Sequence, residues 1–438
     1  MLNNKKKMKV AFYTLGCKVN QYETNGMIQK FKSSGYDIVE FEEKADIYII
    51  NTCTVTNMSD KKSRQMIRRT KEVNSESIVV AVGCYAQVGK EKLEEIKEID
   101  LILGTNEKND IIRYVEDYIK ENKKIESISD VMHKTEFSDF GVVDYTEKTR
   151  AVIKVQDGCD RFCTYCIIPY ARGRVRSRRP ESIVEEITSI ANKGIKEVVI
   201  TGIHIASYGK DFKEEYKLID LLEEINKING IERIRLGSLE PTLIQEDFVK
   251  RLIKLEKICD HFHLSLQSAC NETLRRMNRR YTIDEFINCT ELLRKYYKDV
   301  SLTTDIIVGF PGETDEEFDI TYKNLEKIKF YKMHVFKYSP RKGTKAAIMP
   351  NQVDGNVKEL RSKKLIEMSN KNENEKNNSY IGKEVEVLFE ELDGEFIKGH
   401  TTNYMTVKIK SDDINIENQI LKVKIIGLDN LELVGEIV

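Results

Sequence analysis

The sequence predicts an α/β protein of three units: an N-terminal parallel sheet with crossover helices, a central barrel or partial barrel of parallel strands, and a small antiparallel β-barrel at the C-terminus. Three patterns carry this reading. Short apolar runs alternate with amphipathic stretches from Lys9 to about Glu121, as in sheets whose parallel strands are joined by helices. A second series begins near Arg150 and repeats at roughly 30 to 40 residues, the spacing of β/α barrel units. Beyond about residue 379 apolar and polar residues alternate strictly, as in a small barrel with one face turned inward.

Within the first unit, 8–122, "KVAFYTL", "ADIYIINT" and "SIVVAVG" read as buried strands, and 22–32, 59–72 and 90–96 read as helices. The polar stretch 123–148 has no clear period and reads as a linker. The second unit, 149–345, offers strands at "RAVIKVQDGC", "EVVITGI", "RIRLGSL", "HFHLSLQS", "LTTDIIVGF" and "KMHVFKYS", with helices such as 182–193 and 283–297 between them. A charged helical connector rich in Lys and Asn follows over 346–378. The third unit, 379–438, holds "KEVEVLFEE", "FIKGHTTNYMTVKI", "QILKVKIIGL" and "LELVGEIV".

At 438 residues the chain exceeds one ordinary core. Charged residues make up 33% and there is no apolar run of the ~20 residues a membrane span needs, so a soluble protein without a membrane partner is expected. The opening "MLNNKKKMKVAFYTLGC" is basic, but its apolar part is short and no small-residue cleavage site follows, so the cytoplasm is the expected location. A net charge of -1 argues against indiscriminate nucleic-acid binding and leaves room for a local basic patch. Nine cysteines in such a chain point to metal or redox chemistry rather than to a disulfide framework.

Three of them, Cys159, Cys163 and Cys166, stand in "GCDRFCTYC" just past the first strand of the second series. A [4Fe-4S] cluster held by three thiolates keeps one iron open to a non-protein ligand, whereas structural zinc sites usually close all four positions. The C-x3-C-x2-C spacing at a β/α barrel mouth resembles the radical S-adenosylmethionine (SAM) enzymes. That resemblance implies that SAM chelates the open iron and is cleaved reductively to a 5′-deoxyadenosyl radical, with Tyr165 near the adenine. At other strand ends stand Gly202, Ser238 and Glu240, Gln267 and Ser268, and Gly309 to Thr314. These fit a cofactor-binding mouth, although a glycine there also serves a plain turn. By the same resemblance Gly202, Ser238, Glu240 and Gln267 join Tyr165 as candidate SAM contacts.

Cys17, Cys53 and Cys84 share no short motif, yet "FYTLGC", "YIINTC" and "VAVGC" each put the cysteine immediately beyond an apolar strand. In a parallel sheet all three emerge on one edge, the edge where open α/β folds bind ligands; the alternative is three small core residues. Taken as ligands, they imply a second open cluster. "TLGCKVNQYET", "NTCTVT" and "VGCYAQ", with the later triad and the terminal barrel, resemble the methylthiotransferases over nearly the whole chain. The resemblance implies a flavodoxin-like first domain, a radical SAM barrel and an RNA-binding TRAM domain. It also implies two [4Fe-4S] clusters, one SAM as methyl donor and another as radical source, and a methylthio group placed on C2 of an adenosine at position 37, beside the tRNA anticodon. "GCKVNQYET", where relatives acting on isopentenylated adenosine tend to have Gln-Met after the Gly-Cys, resembles the threonylcarbamoyladenosine (t6A) type. A flavodoxin or ferredoxin is the expected electron donor, and a monomer the expected state. Rival readings are isopentenyladenosine in tRNA, an aspartate of a ribosomal protein, and, outside the enzymes, an iron–sulfur or zinc RNA-binding protein.

"ARGRVRSRRP" sets Arg172, Arg174, Arg176, Arg178 and Arg179 behind the cysteine loop, where they are candidates for RNA phosphates or for the SAM carboxylate. Phe396, His400 and Tyr404 are candidates for stacking on bases, and Arg361, Lys363 and Lys364 for a basic face. Cys259, Cys270 and Cys289 share no setting and read as non-ligands. His261 and His263 alternate on one strand, either lining the barrel or serving as structural histidines.

Overall fold

The structure, a computed structural model, describes residues 8–143, 149–411 and 413–438. The basic opening segment 1–7 and the last five residues of the expected linker, 144–148, lie outside them. The N-terminal strands are β1 (Lys9–Thr14), β2 (Asp37–Val39), β3 (Ile47–Thr52), β4 (Ile78–Gly83), β5 (Leu101–Leu103) and β6 (Ile125–Ser127). They form one parallel sheet in the order β2-β1-β3-β4-β5-β6, the flavodoxin-like order with one strand added. All six side chains of β3 are buried, because helices cover both faces. The stretch read as a linker is not one where it is described. It supplies the edge strand β6, and Val131 and Val143 are buried, so its polar sequence belongs to a segment that packs between units.

The central unit holds β7 (Arg150–Asp157), β8 (Arg176–Ser177), β9 (Glu197–Gly202), β10 (Arg233–Leu236), β11 (His261–Gln267), β12 (Ser301–Val308) and β13 (Lys332–Lys337). One sheet runs β10-β9-β7-β8 and another β11-β12-β13. Parallel bridges at Ile234–Ile258 and Leu239–Leu264 join them, so six parallel strands curve into a partial barrel. Ala151, Ile153 and Val155 of β7 face the outer helices in one core with Val198, Ile200, Ile234, Leu264 and Ile306. The connector is a 24-residue helix, Gly355–Asn378, capped by Asp354 and laid along β13.

The terminal strands β14 (Glu384–Asp393), β15 (Phe396–His400), β16 (Thr406–Lys410), β17 (Ile420–Asp429) and β18 (Glu432–Ile437) close in the order β14-β15-β16-β18-β17. Four ladders are antiparallel, but β16 and β18 pair in parallel, because the chain crosses the barrel to close it. This barrel docks at the N-terminal ends of the central strands. Arg233 donates to the His400 and Glu386 carbonyls at 2.8 and 3.2 Å, and Arg235 to those of Thr402 and Thr401 at 3.0 and 3.2 Å.

Helix Lys18–Ser33 of the first unit packs against β7 and β9, and its contact is charged and dry. Glu23, 2% exposed, binds Lys154 at 2.7 Å, Arg172 at 2.7 and 2.9 Å, and Lys108. Asp157 binds Lys154 at 2.6 Å, Arg172 at 3.1 Å and Arg176 at 3.6 Å. Burial alone would raise both carboxyls. The surrounding cations outweigh it and hold both below the usual carboxylate range. Because the folded-state values lie below the unfolded ones of about 4, this stabilisation is complete above about pH 4 and is lost as the pH falls through the folded values. Urea unfolding should show the wild-type midpoint falling steeply as the pH drops below about 4. Glu23→Gln, which strands buried cations, should cost about 3–5 kcal/mol at neutral pH and flatten that dependence.

Candidate active site

Both cysteine trios stand at the C-terminal ends of parallel strands, as the local sequence implies. Cys17 follows β1 and begins the turn into helix Lys18–Ser33, Cys53 follows β3, and Cys84 opens the helix Cys84–Val88. β1 and β3 flank the point where the strand order reverses, so the crossovers diverge there and leave a crevice. Two glycines shape it. A Cβ on Gly16 would lie 3.0 Å from the Cys53 sulfur, and one on Gly83, at φ +107°, 2.6 Å from Asn51 Oδ1. Cys17 is exposed, while Cys53 and Cys84 are buried. Burial pushes the Cys53 thiol up to about 11, and negative charge on Cys84 and Cys17 pushes the same way. The Cys84 thiol is likewise raised by burial, against the pull of Arg172 and Lys108.

The second trio occupies the loop after β7. Gly158, at φ +69°, turns the chain so tightly that a Cβ there would fall 1.8 Å from the Arg174 carbonyl oxygen. The Cys166 amide donates to the Cys163 carbonyl at 2.9 Å. Burial raises Cys159 to about 11 and Cys166 to about 12, and charge on the neighbouring thiols adds to both. Each trio also has an arginine donor: Arg172 Nε lies 3.3 Å from the Cys84 sulfur and Arg279 Nη1 3.4 Å from that of Cys163.

The donor chemistry fits iron–sulfur clusters. Among the described residues no three His, Cys, Asp or Glu side chains converge tightly enough to hold a single metal ion, yet the thiols of each trio feel one another's charge. A cubane takes one thiolate at each of several iron corners, so its ligands stand farther apart than those of one ion. Beside Cys84, the four cations Lys108, Lys154, Arg172 and Arg176 share the two carboxylates of Glu23 and Asp157. That surplus of buried positive charge suits an anionic partner at the sulfurs.

The candidate SAM contacts are dispersed. Gly202 and Ser238 line a cavity of about 580 Å³ together with Cys17. Glu240 is engaged by His204 and by Arg161 at 2.6 Å; burial pushes its carboxyl up, but His204, Arg279 and Arg161 hold it at about 2. Gln267 sits at φ +70° in a bulge of β11. Tyr165 packs beside Phe310, ring centroids 6.4 Å apart.

The cavity is the barrel interior, and much of it was missed in the sequence. Arg235, His261, His263, Thr303, Asp305, Lys332 and His334 point inward, while Tyr404 and His400 of the terminal barrel form its floor. The available signal was an alternation of polar residues at Arg233 and Arg235, His261 to Gln267, Ser301 to Asp305, and Lys332 and His334, where helix-covered parallel strands are normally apolar on both faces. His263 binds Asp305 at 3.3 Å and Thr303 at 3.0 Å, so the two histidines both line the barrel and are held structurally. A larger groove of about 710 Å³ between the helices Asp315–Ile328 and Gly355–Asn378 holds no thiol.

Several RNA candidates are corrected. Arg172, Arg176 and Arg178 are buried in ion pairs, Arg178 with Glu186 and with Asp139 at 2.9 Å, and cannot reach a phosphate. Arg174 and Arg179 remain exposed. Arg361 is buried against Glu313 and Asp315 at 2.8 and 2.7 Å, leaving Lys363 and Lys364 outside. Tyr404 cannot stack on a base, because its faces are taken by His261 and His400 at 4.9 and 4.7 Å. Lys408 lies over the Phe396 ring at 5.0 Å. Cys259, Cys270 and Cys289 are free and buried.

Gly158→Ala should displace the cysteine loop. Its expected effect is a loss of about 1–3 kcal/mol in stability and lower iron uptake on anaerobic reconstitution, read by thermal unfolding and iron analysis.

Two family models match the chain: "Radical SAM superfamily" over residues 153–325 and "Uncharacterized protein family UPF0004" over 9–104. A Bacillus subtilis (strain 168) protein named threonylcarbamoyladenosine tRNA methylthiotransferase MtaB is 42% identical over 95% of this chain and 93% of its own. A tRNA-2-methylthio-N(6)-dimethylallyladenosine synthase of Alkaliphilus oremlandii (strain OhILAs) is 34% identical over 100% of this chain and 94% of its own. Among solved structures the radical SAM methyltransferase TsrM of Kitasatospora setae superposes with a TM-score of 0.57 over 78% of this chain and 75% of its own, at 16% identity, a likeness of fold. Cysteine loop, partial barrel and full-length relatives agree: the chain belongs to the radical SAM tRNA methylthiotransferases, enzymes of a [4Fe-4S] cluster and SAM.

Proposed function

We propose that this enzyme places a methylthio group on C2 of N6-threonylcarbamoyladenosine at position 37 of tRNA. The observation that carries the choice of nucleoside is the 42% identity to a relative named for that substrate, against 34% to one named for dimethylallyladenosine. C2 of adenine has neither an acidic proton nor a leaving group, so side-chain acid–base or nucleophilic catalysis cannot install sulfur there. Bound clusters with SAM supply the one-electron chemistry that can.

On this reading Cys159, Cys163 and Cys166 hold the cluster that meets SAM, and Cys17, Cys53 and Cys84 hold a second [4Fe-4S] cluster that presents sulfur. Tyr165, Gly202, Ser238, Glu240 and Gln267 shape the SAM end of the barrel. Arg172 and Arg279 offset negative charge at the two trios, and Arg172 also ties the first unit to the barrel, fixing the trios relative to each other. Arg174 and Arg179, exposed beside the loop, are the members of the arginine run left to meet tRNA phosphates. No described helix is long and apolar enough to cross a membrane. The reading places the enzyme in the cytoplasm as a monomer, supplied with electrons by a flavodoxin or ferredoxin.

Nucleoside analysis of tRNA from a deletion strain should show the methylthio form of t6A lost and t6A accumulating; loss of the methylthio isopentenyl nucleoside instead would overturn the substrate. Reconstituted protein should carry about eight irons per chain. Cys163→Ala should abolish 5′-deoxyadenosine formation, while Cys53→Ala should retain SAM cleavage without methylthiolated product. Product from the Cys53 variant would refute the separate roles.

A further inference from the structure

The barrel cavity carries one unmatched charge. Three of its lining residues are lysine or arginine. Arg235 is spent on Glu197 at 2.9 and 3.0 Å and on two backbone carbonyls, and Lys332 is held by Glu373 at 2.9 Å. Lys18, the third, makes no hydrogen bond or ion pair among the described residues. The acids lining the cavity are already engaged, Asp305 by His263 and Glu373 by Lys332. Glu197, within electrostatic reach of Lys18, is shared between Arg235 and Arg150.

Lys18 has its backbone fixed by its place in the helix. It is the first residue of helix Lys18–Ser33, directly after Cys17. Its exposed side chain lines the same cavity as Arg235, His400 and Tyr404, so the ammonium faces the open chamber while its backbone stays at the sheet edge where the amino-terminal trio gathers. A group docked there lies between the thiols and the terminal barrel.

We propose that Lys18 receives the carboxylate of the threonyl substituent on N6 of the target adenosine, and so selects this nucleoside over uncharged N6 derivatives. The proposal rests on the t6A reading above. A threonylcarbamoyl group ends in a carboxylate, whereas an isopentenyl group has no charge. An unmatched ammonium stabilises the first through a charge-assisted hydrogen bond and, beside the second, would be desolvated with no partner. Discrimination thus comes from both attraction and exclusion.

The test compares anticodon stem-loops that differ at position 37 alone: t6A, the methyl ester of t6A, unmodified adenosine and isopentenyladenosine. Binding is measured to the full-length reconstituted protein and to Lys18→Gln and Lys18→Arg variants of matched iron content. Wild type should bind the t6A RNA about tenfold more tightly than the ester RNA. Lys18→Gln should erase that preference and Lys18→Arg should keep most of it. A full preference in Lys18→Gln overturns the proposal, and so does an equal loss across all four RNAs, which would make Lys18 a phosphate contact. Should Lys18→Gln fail to take up iron, the ester comparison on wild type decides: equal binding of acid and ester refutes the carboxylate contact. Tighter wild-type binding of the isopentenyl RNA than of the t6A RNA would instead sink the substrate reading itself.

Discussion

The arrangement depends on the buried contact between Glu23 and Arg172. One residue sits in the first helix of the amino-terminal sheet, the other in the short helix Ile168–Arg172 that follows the C-x3-C-x2-C loop. Their two-pronged pairing fixes distance and angle together, and the same guanidinium reaches Asn20 at 2.6 Å and the Cys84 sulfur at 3.3 Å. The joint between two folding units is therefore also part of the wall around one set of thiols. A second tie repeats the logic on the other side: Arg341, beyond β13, binds Asp60 at 2.6 Å and Asn57 at 2.7 Å on the helix that starts just after Cys53. Ion pairs of this kind contribute little net stability, but they penalise every misaligned docking in which a charge is left alone.

Each unit supplies a different part of one chamber. The amino-terminal sheet gives its open edge, the partial barrel gives curved walls, and the terminal barrel gives the floor. A parallel barrel with a polar interior is costly to fold unless its inward groups find partners. Most of them do so through pairs formed across neighbouring strands, such as His261 and His263 with Thr303. The interior is thus set up for a polar guest without depending on one for its shape.

What could be read from the sequence was local. A cysteine immediately beyond an apolar run is visible in ten residues, so both trios and the strands beneath them were legible. The role of the arginine run was not. In "ARGRVRSRRP" Arg172, Arg176 and Arg178 turn inward while Arg174 and Arg179 face solvent, and Glu23 is 149 residues from its partner. Nothing in such a run separates a buried ion pair from a solvated face. β6 was hidden for a related reason. It is a three-residue edge strand with no fully buried residue, so it lacks the apolar signature of its neighbours. Tyr404 was legible as an aromatic in a barrel, but His261, one of the two rings that cover it, comes from the central unit and could be found only in space.

The placement of the terminal barrel has a further meaning. It seals the chamber at the end opposite the cysteines, and Tyr404 reaches that position on a tight loop with φ +67°. Depth is consequently set by a module that contributes none of the cysteines. Lengthening or reshaping that loop would rescale the room for a guest while leaving every thiol in place. An appended domain of this sort gives evolution a way to change what is modified without retuning how the modification is done.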